Sequence, residues 1–483
     1  MVGAGPNGLA AAGVLAGAGL DVLLLERREE VGGGLCSAEL TLEGFRHDVC
    51  SAVHPMAVCS PFLRTLPLED HGLEWVHPDV PLAHALGPGR SVLLHASLEE
   101  TARGLGADGA AYRSLYVPLR ERWEPLFEEL LAPAHVPRHP FLLARFGVSA
   151  IRPARAFLRG RFRTPEARAL VGGVAAHSVL PLEAPASAAV GLVLSLAAHV
   201  RGWPLPRGGA GRFAAALRSW VTSLGVEIET GRDVASLDEL PPSRAVLLDL
   251  TPRQVVSLAR PGGHLPPGYL RRLERYRYGA AAYKLDWALD GPIPWSDPET
   301  ARAGTVHVGG TLDEMVASEA APFRGEVSET PYLLLAQPTV CDPGRAPPGK
   351  HIAWAYCHVP NGFGGDLVER IEARIERFAP GFRDLVLARS VKGPPELEAM
   401  NPNLVGGDIG GGIQDLGQLF TRPVARVDPY STPNARVFLC SSSTPPGGGV
   451  HGMCGYHAAR SALRRVFGIR AADLSPPGEG PAG

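Results

Sequence analysis

The chain opens MVGAGPNG, and its three glycines, Gly3, Gly5 and Gly8, stand in the order G-x-G-x-x-G. Such a turn belongs between a buried parallel strand and a helix. Its first glycine makes the bend, its second lets backbone approach a pyrophosphate, and its third lets helix and strand pack closely; the phosphates rest on free N–H groups at the helix start. The next residues suit that arrangement. Leu9 to Ala18 is rich in Ala and Leu and predicts the helix, with Gly19 as its cap. Leu20 to Leu25, apart from Asp21, predicts a buried parallel strand, and it ends in Glu26, eighteen residues after Gly8. That spacing is close to the roughly 20 residues expected for the acid that binds a ribose hydroxyl. Turn, helix, strand and acid in this order predict an α/β, Rossmann-like nucleotide-binding fold. Only Met1 and Val2 precede the turn, so little chain is left for the central strand. The expectation is that the natural start lies upstream and that the place beside strand 20–25 holds a stub or nothing.

At 483 residues the chain suits two or three domains. Its formal charge of −2 offers no general attraction to nucleic acid, so none is expected as a partner. No basic region precedes an apolar run at the N-terminus, and no stretch reaches the roughly 18 to 20 apolar residues of a spanning helix. Cysteines 36, 50, 59, 341, 357, 440 and 454 include no C-x-x-C pair, which argues against a redox dithiol, a zinc ribbon or a secreted disulfide framework. Reduced thiols in a cytoplasm, and no metal, are the expectation. Only Lys284, Lys350 and Lys392 of the 47 basic residues are lysine, a bias that reads as GC-rich, bacterial coding.

After Glu26 and Arg27 the triplet Gly32, Gly33, Gly34 permits backbone to lie against a second phosphate or the flavin side of a dinucleotide; the other reading is a flexible loop. Long amphipathic helical patterns fill 61–200. A second glycine turn (Gly208, Gly209, Gly211) then leads into a helix to Leu224, a strand Val226 to Thr230, and VLLDL at 246–250, a buried parallel strand. AAYKLDWAL, YLLLAQPTV and HIAWAYCHV read as strands, and 366–377 as a helix. Val437 to Cys440 reads as a strand that leads through a Pro-Gly turn into a helix from Gly455. The order implies a discontinuous nucleotide-binding domain from 1–60, 201–255 and 405–470, a substrate domain from 61–200 and 256–404, and a disordered tail over 475–483.

These motifs, with GFRHDVCSAVHP (44–55), AAYKLDWALDGPIPW (281–295), NPNLVGGDIGGGIQDLGQLFTRPVAR (401–426) and PPGGGVHGMCGYHAA (445–459), resemble the phytoene desaturase-related flavoprotein oxidoreductases. The likeness runs nearly the whole chain and is greatest to the branch called pyridine nucleotide-disulphide oxidoreductase domain-containing protein 2. The resemblance implies a Rossmann-like FAD-binding domain of the glutathione reductase and amine oxidase type, with an inserted α+β substrate domain. It implies FAD as cofactor, its pyrophosphate on Gly3, Ala4, Gly5, Pro6, Asn7 and Gly8 and its ribose on Glu26. The Val234 backbone would hold the adenine, and Gly447, Gly448, Gly449, Val450, His451 and Gly452 would lie against the isoalloxazine. A helix N-terminus there would stabilise the charge of reduced flavin near N1. Gly34 stands where many relatives carry arginine, and the dithiol in the branch name has no counterpart here. With one dinucleotide fingerprint and no separate NAD(P)H domain, electrons are expected to pass to oxygen, a quinone or another carrier. The expected reaction moves a hydride from a C–C or C–N bond of a hydrophobic substrate to flavin N5. An amine or amino-acid oxidase, and a flavin-binding regulatory protein with little catalysis, are the alternatives.

Lys284 is the first catalytic candidate. It shares a strand face with Asp286, Tyr283, Leu285 and Trp287 taking the other, and falls about where related amine oxidases hold a water-anchoring lysine. Desolvation would suit it as a base, and a salt bridge to Asp286 is the plainer reading. His451, the second, either meets the ring or only bonds its own turn. His47, Asp48 and His54 wrap the ring or bond structurally, and Cys454 is a weak candidate for covalent attachment. Arginines 138, 145, 152, 155, 159, 161, 163 and 168 are interleaved with Leu, Phe and Ile and have no acid among them between His135 and Thr164. Residues 135–168 therefore read either as a peripheral membrane face or as a solvated basic face packed on the domain. Ala184 to Val200 reads as a buried helix lining a substrate tunnel.

Overall fold

Two short pairs of parallel strands carry the nucleotide-binding half of the computed structural model, which describes residues 1–470. Leu23–Leu25 pairs with Glu227–Glu229, and Val246–Leu248 pairs with Val437–Leu439. Between them lies Val2, which bridges Leu25 on one side and Leu248 on the other. Its N–H donates to the Leu247 carbonyl at 3.0 Å, Gly3 N–H donates to Leu25, and Asp249 N–H donates to Val2 at 2.9 Å. The central place is thus held by a stub of residues 1–3.

The opening helix runs Pro6–Gly17, three residues earlier than the pattern of apolar residues predicts. Proline in the first turn explains the shift, since its missing N–H would have had no helical partner there. Around this helix pack Ala210–Ser223 and the closing helix Met453–Ala462. The strand predicted over 20–25 is shorter, Leu23–Leu25, and the predicted helices to Leu224 and over 366–377 are seen at Ala210–Ser223 and Val368–Glu376.

The second half is built on a seven-stranded sheet, in the order Val386–Lys392, Ala281–Leu289, His351–Val359, Leu333–Ala336, Ala303–Val308, Val80–Gly87, Arg90–Leu94. Every pairing is antiparallel except Ala303–Val308 with Val80–Gly87. All nine residues of Ala281–Leu289 are buried, because this strand has neighbours on both edges and cover on both faces. Its period of two sends Tyr283, Leu285 and Trp287 into an apolar core with Ile371, Ile375, Phe378 and Phe382, and leaves Lys284 and Asp286 on the other face.

The helix Ala188–Val200 is largely buried, as its composition predicts. Among the described residues no helix is long and apolar enough to cross a membrane, and no cluster of three potential metal ligands occurs. All seven cysteines are free thiols. The tail from Ser475, expected to be disordered, lies outside the described residues.

Candidate active site

A cleft of about 500 Å³ runs along the carboxyl ends of the parallel strands. Of the predicted cofactor residues, Gly3, Gly5, Pro6, Asn7, Glu26, Arg27, Gly33, Gly34, Val234, Gly447, Gly448, Gly449, Val450 and His451 all line it. Ala4, Gly8, Gly32 and Gly452 sit behind the wall and shape it. Ala4 N–H donates to Glu26 Oε2 at 2.8 Å, and Gly32 N–H donates to the Ala4 carbonyl at 2.8 Å. Glu26 Oε1 accepts the Arg28 N–H at 3.0 Å, so backbone donors aim the carboxylate before any ligand arrives. The two glycine segments touch: a Cβ on Gly33 would stand 3.1 Å from the Gly5 Cα. The 32–34 triplet therefore packs on the phosphate turn rather than waving free. Val234 lies in the loop after Glu227–Glu229, not in a strand, because that strand ends before Gly231 turns the chain.

The far end of the cleft is the turn before the closing helix. His451 Nδ1 accepts the Met453 N–H at 3.1 Å, and Ser60 Oγ donates to the His451 carbonyl at 2.7 Å. Burial lowers the imidazole to about 4, so it is neutral near pH 7 and carries its one proton on Nε2. Among the described residues Nε2 makes no well-formed hydrogen bond although it is buried, the ring lying near the Gly447 and Gly448 carbonyls, and Asn7 Oδ1, Ser51 Oγ and Thr251 Oγ1 are likewise without one. All four residues line the cleft. Buried polar atoms left unpaired are costly, and four of them on one cavity mark groups that a ligand can satisfy. Val450, a β-branched residue, is held at φ 53°, a strained conformation of the kind found at ligand sites.

Lys284 makes the salt bridge to Asp286 that its place in the strand allows. Its Nζ donates to both oxygens of Asp286 at 2.5 Å and lies 5.3 Å over the Trp354 ring, and it is not among the cleft-lining residues. His47 Nδ1 is 3.7 Å from Asp286, and burial first, then Lys284, lowers its imidazole to about 3. Asp48 accepts from Ala210 N–H at 2.7 Å and from Arg345 at 2.8 Å, which fastens the second glycine turn. His54 is buried against Trp75 and Phe213. None of these three lines the cleft. Burial pushes the Cys454 thiol up to about 11, and its Sγ faces the Gly447 carbonyl at 3.3 Å. Such a thiol is a poor nucleophile, and it too lies outside the cleft lining.

Sequence reasoning passed over Asp249, which lines the cleft and accepts the Gly8 N–H at 3.0 Å. A signal for it exists: VLL-Asp repeats the pattern LLL-Glu, an acid closing a buried parallel strand. It also passed over Met400, Leu404 and Ile409, the apolar wall of the cleft, which come from a long connection.

A family model described as flavin containing amine oxidoreductase matches residues 7–462. Pyridine nucleotide-disulfide oxidoreductase domain-containing protein 2 of Mus musculus is 28% identical, the match covering 96% of this chain and 93% of that protein. A limonene dehydrogenase subunit of Castellaniella defragrans is 23% identical, over 95% of this chain and 93% of the relative. Among solved structures, an oxidoreductase from Methanosarcina mazei superposes with a TM-score of 0.62 at 15% identity, covering 96% of this chain and 99% of the other.

Proposed function

Since the chain belongs to the flavin-containing amine oxidoreductase family and takes FAD as cofactor, we propose that it is a dehydrogenase or desaturase that oxidises a hydrophobic substrate. Bound FAD would supply the two-electron acceptor for a dehydrogenation in which the substrate gives up a hydride and a proton and gains a double bond. The chain's own residues bind, orient and exclude water. The glycine turn and Glu26 hold the nucleotide end, and the neutral His451 presents its Nε2–H to the other end. The observation that carries the reading is the distribution of charge in the cleft. Its carboxylates, Glu26, Asp233 and Asp249, stand with the nucleotide-binding segments, whereas Met400, Leu404, Ile409 and Cys50 supply apolar wall and no acid for an ammonium group. A relative named as a limonene dehydrogenase subunit is in keeping with a hydrocarbon-like substrate. Oxygen, a quinone or another carrier would take the electrons from the reduced flavin.

The second reading, an amine oxidase, is favoured by the family description and by the buried Lys284. Anaerobic mixing of the flavin-loaded chain with isoprenoid hydrocarbons and, separately, with primary and secondary amines decides between them. Bleaching of the visible flavin absorption by isoprenoids alone is expected. Bleaching by amines, with hydrogen peroxide on admission of air, would establish the oxidase, and bleaching by neither class would favour a flavin-binding protein without this catalysis.

We also propose that the basic insert touches a lipid surface, over a smaller area than its arginine count implies. Arg155 pairs with Glu183, Arg159 with Asp313, and Arg161 and Arg168 bond protein carbonyls, so these belong to the fold. Arg138, Arg145 and Arg152 make no ion pair among the described residues and lie beside an exposed apolar row. In that row Phe141 is 91% exposed, Val148 72% and Ile151 56%, all on one face of the helix Pro140–Ala150 and its end. Burying such side chains gains about 1.5–3 kcal/mol each, and each arginine adds about 1 kcal/mol on an anionic surface. Phe141→Asp with Val148→Asp should therefore weaken co-sedimentation with anionic vesicles at least about tenfold without changing the melting temperature. Equal sedimentation of variant and parent would remove the lipid reading.

A further inference from the structure

Asp249 closes the strand Val246–Leu248, 241 residues along the chain from the amide it binds. Its Oδ2 accepts the Gly8 N–H at 3.0 Å, and a Cβ on Gly5 would lie only 2.7 Å from the same oxygen. The carboxyl group therefore sits at the N-terminus of the opening helix, among the amides that a dinucleotide's diphosphate uses. An acid of the protein occupies the neighbourhood that an anionic ligand must enter. The groups that face it are the Gly5 and Gly8 amides of the turn, the Glu26 carboxylate from the first strand, and the Cys440 and Cys454 thiols from the last strand and closing helix. The Met1 amino group acts on Cys440. Among the described residues, none of the groups that face Asp249 directly is a cation.

Glu26 has both oxygens engaged as acceptors from backbone N–H groups. Asp249 has one oxygen so engaged, which leaves Oδ1 able to carry a proton. Burial raises this carboxyl to about 7, the nearby Glu26 adding to the rise and the Gly8 and Gly5 amides opposing it.

Resting on the FAD assignment, we propose that Asp249 admits the cofactor's diphosphate only in its acid form, keeping the Gly8 N–H on Oδ2 and donating the Oδ1 proton to a phosphate oxygen. Loading the cofactor then takes up one proton from water whenever the free chain begins with Asp249 ionised. The sign follows: a ligand that binds the protonated form loses affinity as pH rises above the free carboxyl's range. Asp249 is thus a cofactor-binding residue that makes flavin loading pH-dependent, beyond the turn and the ribose acid.

The flavin-stripped, full-length chain is titrated with FAD between pH 6 and 9, following flavin fluorescence. Calorimetry in two buffers of different protonation enthalpy counts protons. The expected Kd is flat below about pH 7 and rises about tenfold per unit above it, with one proton taken up per FAD on the alkaline side. Asp249→Asn keeps the acceptor for Gly8 and offers a permanent donor, so it should bind at all these pH values as the parent does at pH 6, with no proton uptake. A parent Kd that is flat to pH 9 without proton uptake overturns the proposal, and so does an Asp249→Asn chain that keeps the parent's pH dependence. The proton count needs no variant, so the test survives a substitution that folds poorly. Absence of FAD binding at every pH would instead overturn the cofactor assignment, and the proposal with it.

Discussion

Gly455→Ala is expected to strip the chain of flavin and lower its stability by about 3 kcal/mol or more, the upper range for overpacking a tight contact. Gly455 lies in the first turn of the closing helix, where that helix crosses the start of the opening one. An added Cβ would stand 1.9 Å from the Asn7 carbonyl oxygen, 2.7 Å from its carbon and 3.0 Å from the Ala11 nitrogen. All three are backbone atoms, so no side-chain rotation relieves the clash. Either the helices part or the phosphate turn bends, and both disturb the two ends of the cleft at once, since Asn7 of that turn and His451 before the closing helix both line it. Gly17→Ala is the matched control. It ends the opening helix, with nothing within 4 Å of its added Cβ, and should be neutral or stabilising by up to about 1 kcal/mol. Thermal unfolding and flavin content per chain test both; a Gly455→Ala protein with parental melting temperature and full flavin would show that the helices can separate freely.

Lys284→Met is expected to cost about 3–5 kcal/mol, the typical result of removing one partner from a buried ion pair. Asp286 is fully buried, and Lys284 supplies the only hydrogen bonds to its carboxylate among the described residues. His47, 3.7 Å away, is held neutral by burial and by Lys284 itself, so it is a poor substitute cation until Lys284 is gone. Replacing both residues, Lys284→Met with Asp286→Leu, should restore part of the loss, because the buried carboxylate goes with its partner and only the half-buried Lys392 beside them loses a counter-charge. The same pair of proteins separates structure from catalysis. If Lys284 only neutralises Asp286, the double variant regains the rate at which substrate reduces the flavin. If Lys284 acts on the reacting atoms, the double variant regains stability and not that rate. Denaturant unfolding and single-turnover flavin reduction supply the two readouts.

Local chemistry wrote much of this molecule into its sequence. Gly3 through Glu26 determine turn, helix, strand and acid within one short segment, because helical hydrogen bonds close over four residues and Gly8 packs on the Gly3 carbonyl of the same turn. The alternation of AAYKLDWAL likewise determines a strand and puts Lys284 with Asp286 on one face, since side chains two apart point the same way. The insert 135–168 was legible only as composition: eight arginines look alike in sequence, and the fold assigns Arg155, Arg159, Arg161 and Arg168 to internal partners while leaving Phe141 and Val148 beside Arg138, Arg145 and Arg152. Tertiary structure alone decided that the Asp249 carboxyl meets the Gly8 amide, that Gly455 rests on the Asn7 carbonyl, and that His451 and Asn7 share a cleft with an atom each unpaired. No local pattern carries these contacts. They depend on the order in which distant strands are laid side by side, and burial, which raises Asp249 and silences His451, exists only once that order is complete.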